Sequence, residues 1–179
     1  WMGRKANVNQ GSAAEQWFEA VDEYVGYFRP SNDDRVVLNQ PFNEEVERIE
    51  QFCRTIAKIS RNYRLLAKRI SSLPIPSTLP EAQRYRDLHA NWYSDQALLY
   101  EDMVRPRKPA RTKEELDGIM KDLNDRSEGL AEQFTTLQVM DLDLRKKYGV
   151  HAARYDDALR DYTTRDLPEH IKQQLDAKR

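Results

Sequence analysis

Cysteine, glycine, histidine and long apolar runs are all scarce in this chain, and each scarcity excludes something. One cysteine, Cys53, in 179 residues rules out an internal disulfide framework. Its place beside Phe52 in an apolar seam marks it as a half-buried small apolar residue rather than a reactive thiol. None of the three histidines has a glutamate three positions earlier, the pairing that di-metal helical bundles use: Arg86 precedes His89, Tyr148 precedes His151 and Leu167 precedes His170. No His-x-x-x-His or Cys-x-x-Cys occurs either, so no metal and no cofactor is expected. No apolar run approaches the roughly 18 residues of a membrane span, and there is no Asn-x-Ser/Thr sequon. The net charge is −1, which supplies no global field for nucleic acid or an anionic membrane.

The chain is 39% hydrophobic and 33% charged, with only six glycines, a mixture typical of long amphipathic helices. Its strongest pattern is a 3-4 alternation of Ile49, Phe52, Ile56, Ile59, Tyr63, Leu66 and Ile70. That seam predicts a helix with one inward face and coiled-coil-like packing. Residues 1–11 lack periodicity and read as a flexible segment ahead of a single helical-bundle domain over residues 12–179.

Helix boundaries follow from capping chemistry. Ser12-Ala13-Ala14-Glu15 is a capping box opening a first helix with Trp17, Phe18, Val21, Tyr24, Val25 and Phe28 on one face, and Pro30 stops it. Residues 31–40 read as a polar loop in which Val36, Val37 and Leu38 pack on the bundle. A second helix starts near Pro41 or Asn43 and ends at Leu73-Pro74-Ile75-Pro76. Thr78-Leu79-Pro80-Glu81 caps a third helix carrying Tyr85, Leu88, Trp92, Leu99 and Met103. Thr112-Lys113-Glu114-Glu115 opens a fourth and longest helix, with Leu116, Ile119, Leu123, Leu130, Phe134, Leu137 and Leu144 in one stripe. It either runs on to about Thr164 or kinks at Gly149, a C-cap signal. Asp166-Leu167-Pro168-Glu169 caps a short final helix.

Short loops predict an all-α, elongated antiparallel bundle: three long helices with shorter ones at each end. Residues 51–80 contain no acid but do contain Arg54, Lys58, Arg61, Arg64, Lys68 and Arg69. That basic half is expected level with Asp122, Asp125, Glu128 and Glu132 of the longest helix. At about 1.5 Å per residue, the second and third helices reach about 40–45 Å, and a helix from 112 to 162 about 75 Å. The surplus, from about Val139 onward, needs cover for Leu142, Leu144, Tyr148, Tyr155, Leu159 and Tyr162. The first or last helix can supply it; otherwise a second copy or another protein does.

Two other candidate surfaces stand beside that one. Arg105-Pro106-Arg107-Lys108-Pro109-Ala110-Arg111 puts four positive charges in seven residues, and Arg61, Arg64 and Lys68 form a second basic patch. Both read as solvated charge, with a contact for an acidic partner or an anionic membrane surface as the alternatives; nucleic acid is disfavoured for want of interleaved exposed aromatics. Trp17, Tyr24, Tyr27, Trp92 and Tyr93 read mainly as core filling, or else as a ligand slot between the first and third helices. Tyr27 and Tyr93 are expected to face outward, and His89 to lie at a boundary, bonded to a carboxylate or backbone.

Leu73-Pro74-x-Pro76, followed by a capped helix carrying Leu88-His89, is similar to hairpins of bacterial extracytoplasmic helical domains over residues 43–104. Those domains are often membrane-tethered, and the resemblance carries over no functional residue. It bears on the start of the chain. Trp1-Met2-Gly3-Arg4-Lys5 reads either as a cloning remnant before Met2 or as the water-side end of a missing N-terminal membrane anchor. The resemblance implies the tethered domain, with the cytoplasm as alternative. The expectation is therefore a non-enzyme: a structural or protein-interaction module that binds a protein partner or its own copy through the end of its longest helix. A ligand-sensing bundle and membrane-surface association are the alternatives.

Overall fold

Strong local signals set most of the helix boundaries, and tertiary contacts set the rest. The computed structural model describes residues 5–40, 46–105 and 110–150, with side chains from residue 13. Among the described residues the protein is all-α: α1 (Lys5–Phe28), α2 (Asn32–Asn39), α3 (Val46–Ser71), α4 (Ala82–Val104) and α5 (Lys113–Tyr148). The final capping box, at Asp166, lies outside the described residues.

Two boundaries match the local signals closely. Thr112 Oγ1 accepts from the Glu115 amide at 3.2 Å while Glu115 accepts from the Thr112 amide at 3.3 Å, so α5 opens on the expected box. α5 ends at Gly149, whose φ of 67° is left-handed; only glycine takes that conformation without steric cost. The Val150 amide closes the turn on the Arg145 carbonyl at 2.8 Å. The helix therefore stops at Tyr148 instead of continuing toward Thr164.

Three boundaries differ from expectation. α1 starts at Lys5, so the Ser12 box lies within it; no proline interrupts residues 5–12, and nothing local forces a start at Ser12. The segment after Pro30 is a helix, not a loop. Ser31-Asn32-Asp33-Asp34 is a capping box in which Ser31 Oγ accepts from the Asp34 amide at 3.2 Å and Asp34 accepts from the Ser31 amide at 3.0 Å. Asp34 also accepts from Lys58 of α3 at 2.9 Å on both oxygens. Burial pushes its carboxyl up, but Lys58 and Ser31 outweigh that and hold it below its ordinary value. Finally, Thr78 does not cap α4. Residues 79–81 wind a lead-in turn that docks Leu79 in the core, and the Ala82 amide donates to the Leu79 carbonyl at 3.1 Å.

The α3 seam faces inward as expected from Ile56 onward: Ile56, Ile59, Leu66 and Ile70 are buried, Phe52 and Tyr63 half-buried, and Ile49 exposed. α3 meets α4 where Ser60 Oγ donates to the Ala97 carbonyl at 3.0 Å, and Arg86 of α4 donates to the Leu73 carbonyl just past the end of α3 at 3.0 Å. Leu66 and Ile70 pack there with Ala90 and Tyr93. A larger cluster joins Trp17, Phe18 and Val21 of α1 to Leu79, Tyr85, Leu137 and Leu144. Burying each such side chain contributes about 1.5–3 kcal/mol.

A charged knot sits in that larger cluster. Arg145 is only 2% exposed. Its Nε donates to Asp141 at 2.9 Å and its Nη2 to Asp22 of α1 at 2.7 Å. Tyr85 of α4 donates its hydroxyl to the other Asp141 oxygen at 2.7 Å. The guanidinium lies 4.4 Å from the centre of the Phe18 ring. Burial disfavours its charge, and the two aspartates more than offset that. Arg145→Met strands Asp141 without its cation and is expected to cost about 3–5 kcal/mol of unfolding free energy, read by urea denaturation at neutral pH. Adding Asp141→Leu to that variant should recover part of the loss, and a single variant within about 1 kcal/mol of wild type would contradict this account of the knot.

Candidate interaction surface

Of the residues expected to form a bare end of the longest helix, Leu142 and Leu144 lie instead in the core. Leu142 and Leu144 are 5% and 9% exposed, and Leu144 is in one cluster with Trp17, Phe18 and Val21 of α1 and Leu79 and Tyr85 at the start of α4. Tyr148 is half-buried and donates its hydroxyl to Glu81 at 2.5 Å. Tyr155, Leu159 and Tyr162 lie outside the described residues. Helix α1 thus supplies the cover over Leu144, and among the described residues from Leu142 to Tyr148 no large apolar side chain is fully exposed.

The register of α5 on α4 puts surplus length at the opposite end. Glu81 meets Lys147 and Tyr148, and Tyr85 meets Asp141. Trp92 donates its indole N–H to the Leu130 carbonyl at 2.8 Å, and Asp102 accepts from Arg126 at 2.8 Å. Asp102 is two residues from the end of α4, so the α5 residues well before Arg126 have no α4 residue opposite them. The stripe that faces α4 further along continues there, only partly covered among the described residues. Leu116 and Met120 are each 50% exposed, and Ile119 and Leu123 half-buried. On α3, Val46 and Ile49 are exposed in the same way. The apolar stripe was visible in the sequence; which of its ends is bare was not.

The basic residues are divided among several partners. Lys58 is taken by Asp34 and Arg64 by Glu101, whereas no ion pair among the described residues holds Arg61, Lys68 or Arg69. The expected pairing with the acids of α5 does not occur: Asp122 and Asp125 bind Arg126 and Lys121 of their own helix. The reason is geometric, since α4 packs against both α3 and α5 and stands between them. Arg105 and Arg111 are exposed, with the Arg111 amide held by Glu115 at 2.6 Å; Arg107 and Lys108 lie outside the described residues. Between the unpaired cations sits Leu65, 51% exposed. It escaped notice in the sequence because it falls one position off the α3 seam.

The aromatic candidates do not line one slot between α1 and α4. Trp17 is buried edge-on against Phe18 and Tyr85, with centroids 5.1 Å and 6.2 Å away. Its indole N–H has no hydrogen-bond partner among the described residues. Tyr93 is buried rather than outward, 5.1 Å from Tyr63 of α3 and 4.9 Å from Trp92. Tyr24 is half-buried, and Tyr27 is exposed as expected. His89 is fully buried, each neighbouring ring of Tyr85 and Tyr93 being 5.1 Å away. A shallow recess of about 260 Å³ lies between α4 and α5, lined by Asp95, Leu98, Arg126, Gly129, Leu130 and Gln133; none of these is aromatic.

Among the described residues no cluster of His, Cys, Asp or Glu is placed to hold a metal ion, and no helix is long and apolar enough to cross a membrane. Comparison with protein-family models, curated proteins and solved structures finds no match to this chain.

Glu81 offers a pH handle on the packing of α5. Lys147, and after it the Tyr148 hydroxyl, hold its carboxyl down to about 2 from an ordinary 4.5. A depressed folded-state pKa contributes stability above the unfolded value and loses it as pH falls through the folded value. Thermal midpoints should therefore fall between pH 4.5 and about 2, and Glu81→Gln should flatten that part of the profile. An unchanged profile in the variant would remove Glu81 from the account.

Proposed function

We propose that the protein is a non-catalytic helical module that presents an apolar helix face to a protein partner. In this reading α3, α4 and α5 form an elongated antiparallel bundle with a coiled-coil-like seam. The ordered pairing of Glu81, just before α4, and of Tyr85, Trp92 and Asp102 of α4 with successively earlier residues of α5 supports that arrangement. The single observation that carries the functional reading is the exposure of Leu116 and Met120, each 50%, on a stripe that is core elsewhere. A contiguous apolar stripe left open on a stable helix marks an interface. The buried charges serve packing in this reading: Asp141 accepts from both Arg145 and Tyr85, and Arg145 reaches Asp22 of α1.

The reading moves the interaction surface from the end of α5 to its beginning. Met120→benzoylphenylalanine, introduced into the chain in its native cells, should give a discrete protein adduct on irradiation, and Glu132→benzoylphenylalanine on the exposed face further along should not. Absence of any adduct beyond the Glu132 control would contradict a partner at this face.

A further inference from the structure

The recess between α4 and α5 is built from one face of each helix. Asp95 and Leu98 come from α4. Arg126, Gly129, Leu130 and Gln133, at offsets of three, four and seven, come from one face of α5. Two links between the helices bracket the recess. Trp92 donates its indole N–H to the Leu130 carbonyl at 2.8 Å, and Arg126 donates to Asp102 at 2.8 Å. The walls are therefore set before anything enters, which lowers the cost of binding. At about 260 Å³ the recess is smaller than the roughly 300–1,000 Å³ of drug-sized sites, so it suits a small metabolite.

Three polar groups there have bonding capacity left over. Asp95 and Gln133 are exposed, and neither side chain has a hydrogen bond or ion pair among the described residues. Arg126 meets Asp102 and Asp122 through Nη1 alone. Its Nε and Nη2 form the parallel pair of donors that fits a carboxylate, and no acceptor among the described residues takes them. Arg126 and Gln133 stand about 10 Å apart along the axis at about 1.5 Å per residue, so two charged ends of one small molecule can reach both. Leu98 and Leu130 add apolar surface. Gly129 keeps the space open, since a Cβ there would meet nothing within 4 Å. Glycine is a poor helix former, so this position gives up helix stability where the recess gains room.

We propose that this recess binds a small zwitterion, an α-amino acid with a short apolar side chain: its ammonium donates to Asp95 and the Gln133 amide oxygen, its carboxylate takes the Nε and Nη2 edge of Arg126, and its side chain lies on Leu98 and Leu130 over Gly129. The ammonium end supplies more of the attraction. Arg126 already shares its charge with Asp102 and Asp122, so it holds a carboxylate less strongly than a lone guanidinium would, whereas Asp95 is shared with no cation among the described residues. The site lies apart from the open start of α5 and stands whether or not that face has a partner.

Calorimetric titration of the full chain tests this, with L-leucine as the probe and n-butylamine and butyrate as single-charge controls. L-leucine should bind with a Kd of about 1 mM or tighter, butylamine about tenfold more weakly, and butyrate not measurably. Asp95→Asn should weaken L-leucine binding about tenfold or more. Arg126→Lys keeps a charge for Asp102 but loses the fork, so it should remove the advantage of L-leucine over butylamine. Gly129→Leu fills the recess. It should abolish binding and raise the thermal midpoint, because leucine is the better helix former. No binding of L-leucine up to about 10 mM, equal binding of L-leucine and butylamine, or L-leucine binding that survives Asp95→Asn or Gly129→Leu would each overturn the proposal. A lowered midpoint in Gly129→Leu would show the space to be filled by the fold itself and would overturn it too.

Discussion

A charge inside a protein interior must bring its partners with it, and Arg145 does so from three helices. Asp141 comes from its own helix, Asp22 from α1, and Tyr85 of α4 reaches it through Asp141. Leaving the guanidinium buried without these groups would cost several kcal/mol, so the helices are free to slide only together. The knot therefore does more than add stability. It chooses which part of α5 lies in the core, and by doing so it chooses which part does not.

Helix lengths turn that choice into a surface. α4 has 23 residues and α5 has 36. With the end of α5 pinned at Tyr85 and Glu81, the excess emerges beyond Arg105, and the inward stripe emerges with it. The position of α4 between its neighbours has a second effect. It keeps the acids of α5 from neutralising the cations of α3, so Asp122 and Asp125 pair within their own helix while Arg64 pairs with Glu101 of α4. On the proposed reading, the same register that closes the core prepares the interface.

The sequence announced what depends on neighbouring residues. The α3 seam from Phe52 to Ile70, the Thr112 box and the Gly149 cap are local patterns, and the structure follows each. Helix α2 was missed because its box closes with aspartate at Asp34 in place of glutamate. The Thr78 box failed because burying Leu79 outweighed a cap worth about 1 kcal/mol. The direction of the surplus was not legible, since it depends on register across α4. A trace of it was present: Asp141 and Arg145, four apart, interrupt the apolar stripe of Leu137, Leu144 and Tyr148. Two opposite charges on an inward face point to a buried pair, and a buried pair fixes register.

Hydrogen exchange along α5, measured on the dilute monomeric chain, tests the register claim most directly. The account predicts slow exchange near Leu137, Asp141 and Leu144, where opening breaks the knot, and exchange faster by orders of magnitude near Leu116 and Met120, which are half exposed. The reverse gradient, with the first turns protected and the Leu142 to Leu144 stretch open, would contradict it.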